Sequence, residues 1–470
     1  MLERFFRLSE NQTDARTETL AGVTTFLTMA YIIFVQPAVL SGSMFGQPTG
    51  MDFGAVTTAT CLSAALATAI MALYARYPIA QAPGMGENFF LVFSAIPAAA
   101  AAGFANPWAV ALGTVFISGV VFLLLSLAGL RELIFNAISP SLKHGIAAGI
   151  GVFIAFIGLQ NAGLILKDPG TAVKLNARFA SPDLLVFFAG FLLTAALRAR
   201  GVRGSILWGI VGATALAAAL KLALLQWSAL AAAPVVAESV LLKRFAFAQS
   251  VVAAPPSLTP TLFKLDLAHA LSPSMLPFVF VFLFMLVFDA IGTLIGVCEQ
   301  AGFMRDNRLP RAKQAMVSDA IGTVAGAALG TSTVTSFIES AAGVEQGGRT
   351  GLTGLVVAAL FLLALFFSPL IAMVGSYPPI TAPALVLVGS MMLQNVTRIA
   401  WADATESIPA FLTLIGIPLS YSIADGLALG LVCYPLVKLF AGRAREVSAL
   451  TYGLALALLA YFLLVRSRMG

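Results

Sequence analysis

The residues best equipped for chemistry sit where a membrane would be expected to exclude them. In the apolar run 278–296, Asp289, Gly292, Thr293 and Gly296 fall at i, i+3, i+4 and i+7, so on a helix a carboxylate, a hydroxyl and two gaps share one face. Glycines at such positions admit a neighbouring helix or a flat ligand. An ionisable group inside an apolar segment is costly, which makes Asp289 a functional candidate, with bonding to nearby backbone as the structural alternative.

A second polar island covers residues 330–343. There Thr331, Thr333 and Thr335 alternate with Ser332, Val334 and Ser336, a β-branched period of two that suits extended chain, and Glu339 with the small residues after it can start a short helix. Extended chain at membrane depth is tolerated only where it is buried in protein or lines a polar cavity, so its free backbone groups are candidate ligand contacts. A loop outside the membrane is the competing explanation. Residues 81–90 carry a similar break with Glu87, which either adds a third carboxylate or caps its own short helix. Either Asp289 or Glu339 could carry a proton in a dry site. Asp319 and Asp425 read as packing or interface polar groups.

The chain around these islands is 59% hydrophobic and only 10% charged over 470 residues, which marks a polytopic membrane protein. Residues 1–14 are charged and lack a cleavable signal pattern, so the first span is expected to do the targeting. Cys61, Cys298 and Cys433 lie far apart in apolar runs, and His144 and His269 lack ligand company, so no metal, cofactor or disulfide framework is expected. The net charge of +6 fits basic cytoplasmic loops rather than nucleic-acid binding. No phosphate-binding Gly-Lys motif, zinc-protease signature or nucleophile elbow occurs, which argues against an ATP-driven pump or a membrane enzyme.

Apolar runs suggest seven spans in the first half, near 17–40, 54–75, 84–100, 106–130, 138–161, 182–198 and 204–224. Seven more follow, near 274–297, 314–329, 336–347, 351–373, 379–395, 404–419 and 421–440, with a further run at 449–465. That last run is a fifteenth span, or the fourteenth if 404–440 is one span broken at Pro418. With the N-terminus in the cytoplasm, fourteen Lys and Arg through residue 350 lie inside and seven outside, which favours that orientation. Leu159-Gln160-Asn161 and Leu393-Gln394-Asn395 stand 234 residues apart, close to half the chain, and an odd number of spans per half makes the repeat inverted. Gly145 and Gly149 form a small-xxx-small face suited to helix packing.

Ala82-Pro83-Gly84-Met85-Gly86, then Phe288-Asp289 with Gly292-Thr293-Leu294, then 331–343, together resemble the adenine/guanine/hypoxanthine permease branch of the nucleobase-cation symporter-2 family. The start of the first span, residues 16–26, is similar to that branch as well. The resemblance implies an all-α polytopic fold of 14 transmembrane segments in a 7+7 inverted repeat, with short extended stretches in spans 3 and 10. It implies a cytoplasmic tail over 1–15, a core domain over 16–130 and 271–375, a gate domain over 138–224 and 378–466, and an extramembrane connector over 225–270. Asp289 and Glu339 match the family's acidic positions and would hydrogen-bond a purine and couple protons. Thr293, Glu87, Phe89, Thr335, Phe337 and Ser340 complete the expected substrate contacts.

The function so implied is a secondary transporter in the bacterial inner membrane that imports purine nucleobases with protons, with room for a homodimer. An anion transporter or channel on the same scaffold is the alternative, although an anion site would want Arg or Lys where Glu339 stands. The branch more often has Leu where this chain has Glu87, which leaves the preferred purine open.

Overall fold

Long apolar runs become helices because lipid offers the backbone no hydrogen-bond partner, so each N–H and C=O must be satisfied within the segment. The computed structural model describes residues 2–129, 139–227, 233–303 and 309–464. Arg131, Arg305 and Arg308 of the charge count, and Val465 at the end of the last apolar run, lie outside the described residues. Among the described residues nine helices are long and apolar enough to cross a membrane, among them Phe53–Ala75, Pro107–Ala128, Pro140–Asn161 and Gly351–Gly375.

Helix starts follow local chemistry. Asp14 accepts from the N–H groups of Arg16 and Thr17 ahead of Ala15–Met29, and Asp52 accepts from Ala55 ahead of Phe53–Ile70. Ser139 and Ser181 cap helices whose first residues are Pro140 and Pro182, where a missing N–H costs nothing. Glu18, fully buried, accepts from the backbone of Arg349, Thr350 and Thr353, so Ala15–Met29 caps Gly351–Ala364 from across the fold.

Among the described residues four short strands interrupt the helices: β1 (Gln81–Pro83), β2 (Ile165–Asp168), β3 (Ala172–Leu175) and β4 (Val334–Ser336). β2 and β3 form a local antiparallel hairpin. β1 and β4 pair antiparallel although 250 residues of chain separate them, with Gln81 opposite Ser336 and Pro83 opposite Val334. β1 leads through Gly84 into the short helix Met85–Phe90, and β4 through residues 337–339 into Ser340–Glu345. The expected span over 336–347 is therefore only half helical: β4 takes its first residue, and the left-handed Gly347 (φ 106°) lies just past the end of the short helix.

Pro140–Asn161 lies between two other helices. Added Cβ atoms at Gly145 and Gly149 would stand 2.7 Å from the Ala410 carbonyl and 2.9 Å from Ile417, and at Gly151 and Gly158 2.6 Å from Met392 and 2.9 Å from Leu385. The Gly145 and Gly149 face is thus a packing surface, as its spacing implied. In the connector, Thr58 donates to the Pro256 carbonyl (2.8 Å) and Phe263 N–H to that of Ala328 (2.8 Å), so this part of it is laid against helices of the fold.

The reading of 404–440 as one span broken at Pro418 is wrong. Ala404–Ser420 and Ile423–Phe440 are two helices packed side by side, and Gly426 approaches Ile417 while Gly430 approaches Thr413 and Pro409. Pro409 and Pro418 lie inside the first of them, and the chain turns at Tyr421, a left-handed residue (φ 55°). The open end of this hairpin is tied by Arg443, which donates to Asp403 (2.8 Å) and Glu446 (2.6 Å).

The Thr405 hydroxyl and Arg443 hold the Asp403 carboxyl well below the usual range, and Arg443 with Lys438 brings Glu446 down to about 2. Groups depressed on folding stabilise the folded state above their ordinary value and cease to as pH falls. Melting of the detergent-purified protein is expected to weaken as pH falls from 4.5 toward 2, and Arg443→Gln should flatten that fall. Removal of the buried cap by Glu18→Ala is expected to cost about 2 kcal/mol, read by the same melting measurement at neutral pH.

Candidate functional site

A two-stranded pairing has two outer edges, and inside a membrane neither can turn to water. Here each edge is closed by one threonine hydroxyl. Thr68, on Phe53–Ile70, accepts from the Gln81 N–H (2.8 Å) and donates to the Gln81 carbonyl (3.0 Å). Thr323, on Ala312–Leu329, accepts from the Val334 N–H (3.2 Å) and donates to the Val334 carbonyl (2.9 Å). Gly322 and Gly326 let that helix approach, since added Cβ atoms would come to 3.3 and 2.7 Å from Val334 side-chain atoms. Between the strands, Gly84 N–H donates to Thr333 and Phe337 N–H to Ala80.

Side chains brace the same crossing. Asp319, fully buried, accepts from Ser336 (2.8 Å) and from the Gln81 amide, so it joins both strands to the Ala312–Leu329 helix. Gln36, in the first apolar run beside Pro37, donates to Thr331 (2.9 Å) and Ser332 (2.8 Å) and accepts from Asn88 (2.6 Å). Ser340 accepts from the Ala80 N–H at 3.0 Å.

Against this braced crossing stand the acids. Asp289, half-buried on Leu276–Gln300, accepts from the Thr335 hydroxyl at 2.6 Å. Glu339, half-buried before Ser340–Glu345, accepts on Oε1 from the Tyr31 hydroxyl at 2.7 Å. Glu87 is 3% exposed in the first turn of Met85–Phe90, its carboxylate folded back over Gly84, where a Cβ would stand 2.3 Å from Oε2. Asp289 is close enough to act electrostatically on Glu87, Asp319, Glu339 and Tyr31, and exposed Arg198 acts on Glu339 from the end of Pro182–Ala199. Among the described residues nothing lies within 4 Å of where a Gly292 Cβ would stand, so the helix face one turn beyond Asp289 is open to them, and Thr293 beside it is partly exposed.

The remaining expected contacts divide. Phe337 is 6% exposed, its N–H held by the Ala80 carbonyl at the end of the crossing. Phe89 is fully buried and packs parallel to Phe93, with ring centroids 6.1 Å apart, beside Phe45 and Phe153. Sequence reasoning missed Tyr31, Gln36, Thr68 and Thr323. Gln36 carried a signal, an amide in an apolar run, whereas a hydroxyl at Thr68 or Thr323 is unremarkable until its strand is known.

A family model described as a permease family matches residues 16–464. The chain belongs to that family. This permease is 42% identical to the guanine/hypoxanthine permease PbuG of Bacillus subtilis, over 99% of this chain and 100% of that one. It is 40% identical to the adenine permease AdeP of Escherichia coli, over 95% and 93% respectively. The resemblance drawn from the three motifs therefore holds. The transmembrane domain of a cyanobacterial bicarbonate transporter, BicA, is similar in fold, with a TM-score of 0.59 at 16% identity over 88% of this chain and 97% of that one. The permease is a multi-pass membrane protein.

The edge closures are testable. Thr323→Val keeps the shape of the side chain and leaves the Val334 N–H and C=O without their partner, so a loss of about 2–4 kcal/mol in detergent melting is expected, with Thr323→Ser near wild type.

Proposed function

We propose that this permease imports purine nucleobases, adenine, guanine and hypoxanthine among them, by proton symport and alternating access. The observation that carries the reading is the pair of half-buried carboxylates, Asp289 and Glu339, each accepting from one hydroxyl and each with capacity for further donors, Asp289 one turn before an open stretch of its helix. Such a site accepts N–H groups from a planar neutral guest, and it suits an anion poorly. The names of the guanine/hypoxanthine and adenine permeases above support the same substrate class.

In this reading the site residues are Asp289, Thr293, Glu339, Glu87, Phe89, Thr335, Phe337 and Ser340, with Asp289 and Glu339 also carrying the coupled proton. Fourteen spans form a 7+7 inverted repeat, with Ala404–Ser420 and Ile423–Phe440 as its last two and Ala449–Leu464 a helix beyond it, and the paired treatment of β1 by Thr68 and β4 by Thr323 supports that symmetry. The core, 16–130 and 271–375, moves against the gate, 138–224 and 378–466, across the connector 225–270. The N-terminus faces the cytoplasm from the inner membrane, and a homodimer is compatible with the arrangement.

Proteoliposomes given radiolabelled adenine, guanine, hypoxanthine, xanthine and uracil, with and without an imposed pH gradient, provide the test. Accumulation of purines that stops when the gradient is collapsed is expected, and Asp289→Asn and Glu339→Gln should each lower uptake by about tenfold or more, the loss of one charge-assisted hydrogen bond. Wild-type uptake in both variants would place the substrate elsewhere.

A further inference from the structure

We propose that Tyr31 is a positioning residue for Glu339, holding the carboxylate in the orientation that receives substrate; the inference rests on the purine reading above. Tyr31 stands in the short link between the helical stretches Ala15–Met29 and Ile32–Leu40 of the first apolar run, itself in right-handed helical conformation. Its side chain is almost wholly buried, and a phenol in such surroundings needs a partner for its O–H. That partner is Glu339 Oε1, at 2.7 Å.

The contact is anchored on both sides. Ser340–Glu345 lies hard against Ala15–Met29, since a Cβ on Gly343 would fall 2.0 Å from Thr25 Oγ1 and 2.8 Å from the Ala21 carbonyl. Thr28 Oγ1 also reaches the main-chain oxygen of Glu339, at 3.4 Å. The first run therefore grips residue 339 by main chain and side chain together. A glutamate has three rotatable bonds before its carboxylate, and a donor on a rigid ring whose own position is packed removes most of that freedom. A carboxylate offers about four lone-pair sites, so one donated hydrogen bond orients the group and leaves capacity for a ligand N–H. A neutral donor does this without cancelling the negative charge that a ligand donor seeks, whereas Lys or Arg at the same place would compete for it.

Uptake kinetics in proteoliposomes test the role with Tyr31→Phe, Glu339→Gln and the double variant, using the purine that the wild type transports best. Tyr31→Phe is expected to raise KM by about tenfold with Vmax changed less than about twofold, the effect of one hydrogen bond to a charged group on binding. In the Glu339→Gln background the same change should add less than about twofold, because the hydroxyl acts through the carboxylate. A wild-type KM in Tyr31→Phe, or an equal rise in the Glu339→Gln background, would overturn the proposal while the purine reading stood. Absence of purine uptake by the wild-type protein would overturn both. Should Tyr31→Phe not fold, 3-fluorotyrosine at position 31 keeps the ring and strengthens the donor: a lowered KM would support the role, and an unchanged KM would count against it.

Discussion

A strand pair placed where no water reaches must have every backbone group accounted for, and this fold depends on how that is done. β1 and β4 pair along their shared edge, and on the two outer edges Thr68 and Thr323 satisfy the N–H and C=O of Gln81 and Val334 with a hydroxyl that accepts and donates at once. Only a small side chain with both capacities on a closely approaching helix can do this, which is why glycines at 322 and 326 accompany the second threonine. Without these closures several unpaired groups would sit in an apolar interior, each at a cost of about 1–3 kcal/mol.

The acids inherit their positions from that crossing. Thr335 is a β4 residue, so its hydrogen bond sets Asp289 against the strand, and Glu339 follows four residues later at the start of the short helix that β4 feeds. Asp319 and Gln36 hold the crossing from two further elements, so five separate stretches of chain converge within hydrogen-bond reach. A rigid frame of this kind is what a site needs when small displacements of a donor or acceptor change its affinity. Glu87, folded over Gly84 and within electrostatic reach of Asp289, belongs to the same neighbourhood through the helix that β1 feeds.

The helices outside this centre meet through small residues instead. Pro140–Asn161 presents Gly145 and Gly149 to one neighbour and Gly151 and Gly158 to another, so backbones approach closely on both sides. At the Ala404–Phe440 hairpin, Tyr421 turns the chain, packs edge-on against Phe93 and Phe153, and donates to Gln160 (2.8 Å). The hairpin is thereby joined to the third apolar stretch by aromatic contact and to the fifth by a hydrogen bond.

Much of this was legible from the chain alone, because some constraints are local. Apolar length dictates helices, Ser-Pro and Asp caps mark where they begin, a β-branched period of two marks 331–336 as extended, and an Asp in an apolar face announces itself by cost. The pairing of β1 with β4 is of another kind, since it joins residues 251 to 255 apart, and nothing in residues 81–83 specifies that partner. The same holds for Tyr31 on Glu339, for Thr68 and Thr323, and for the turn at Tyr421, where Pro418 looked like the break and a left-handed tyrosine made it. Local patterning decided which segments are helical or extended. Only the folded chain decided which polar group answers which, because a hydrogen bond is specified by where two distant atoms come to rest and leaves no periodic trace in either segment.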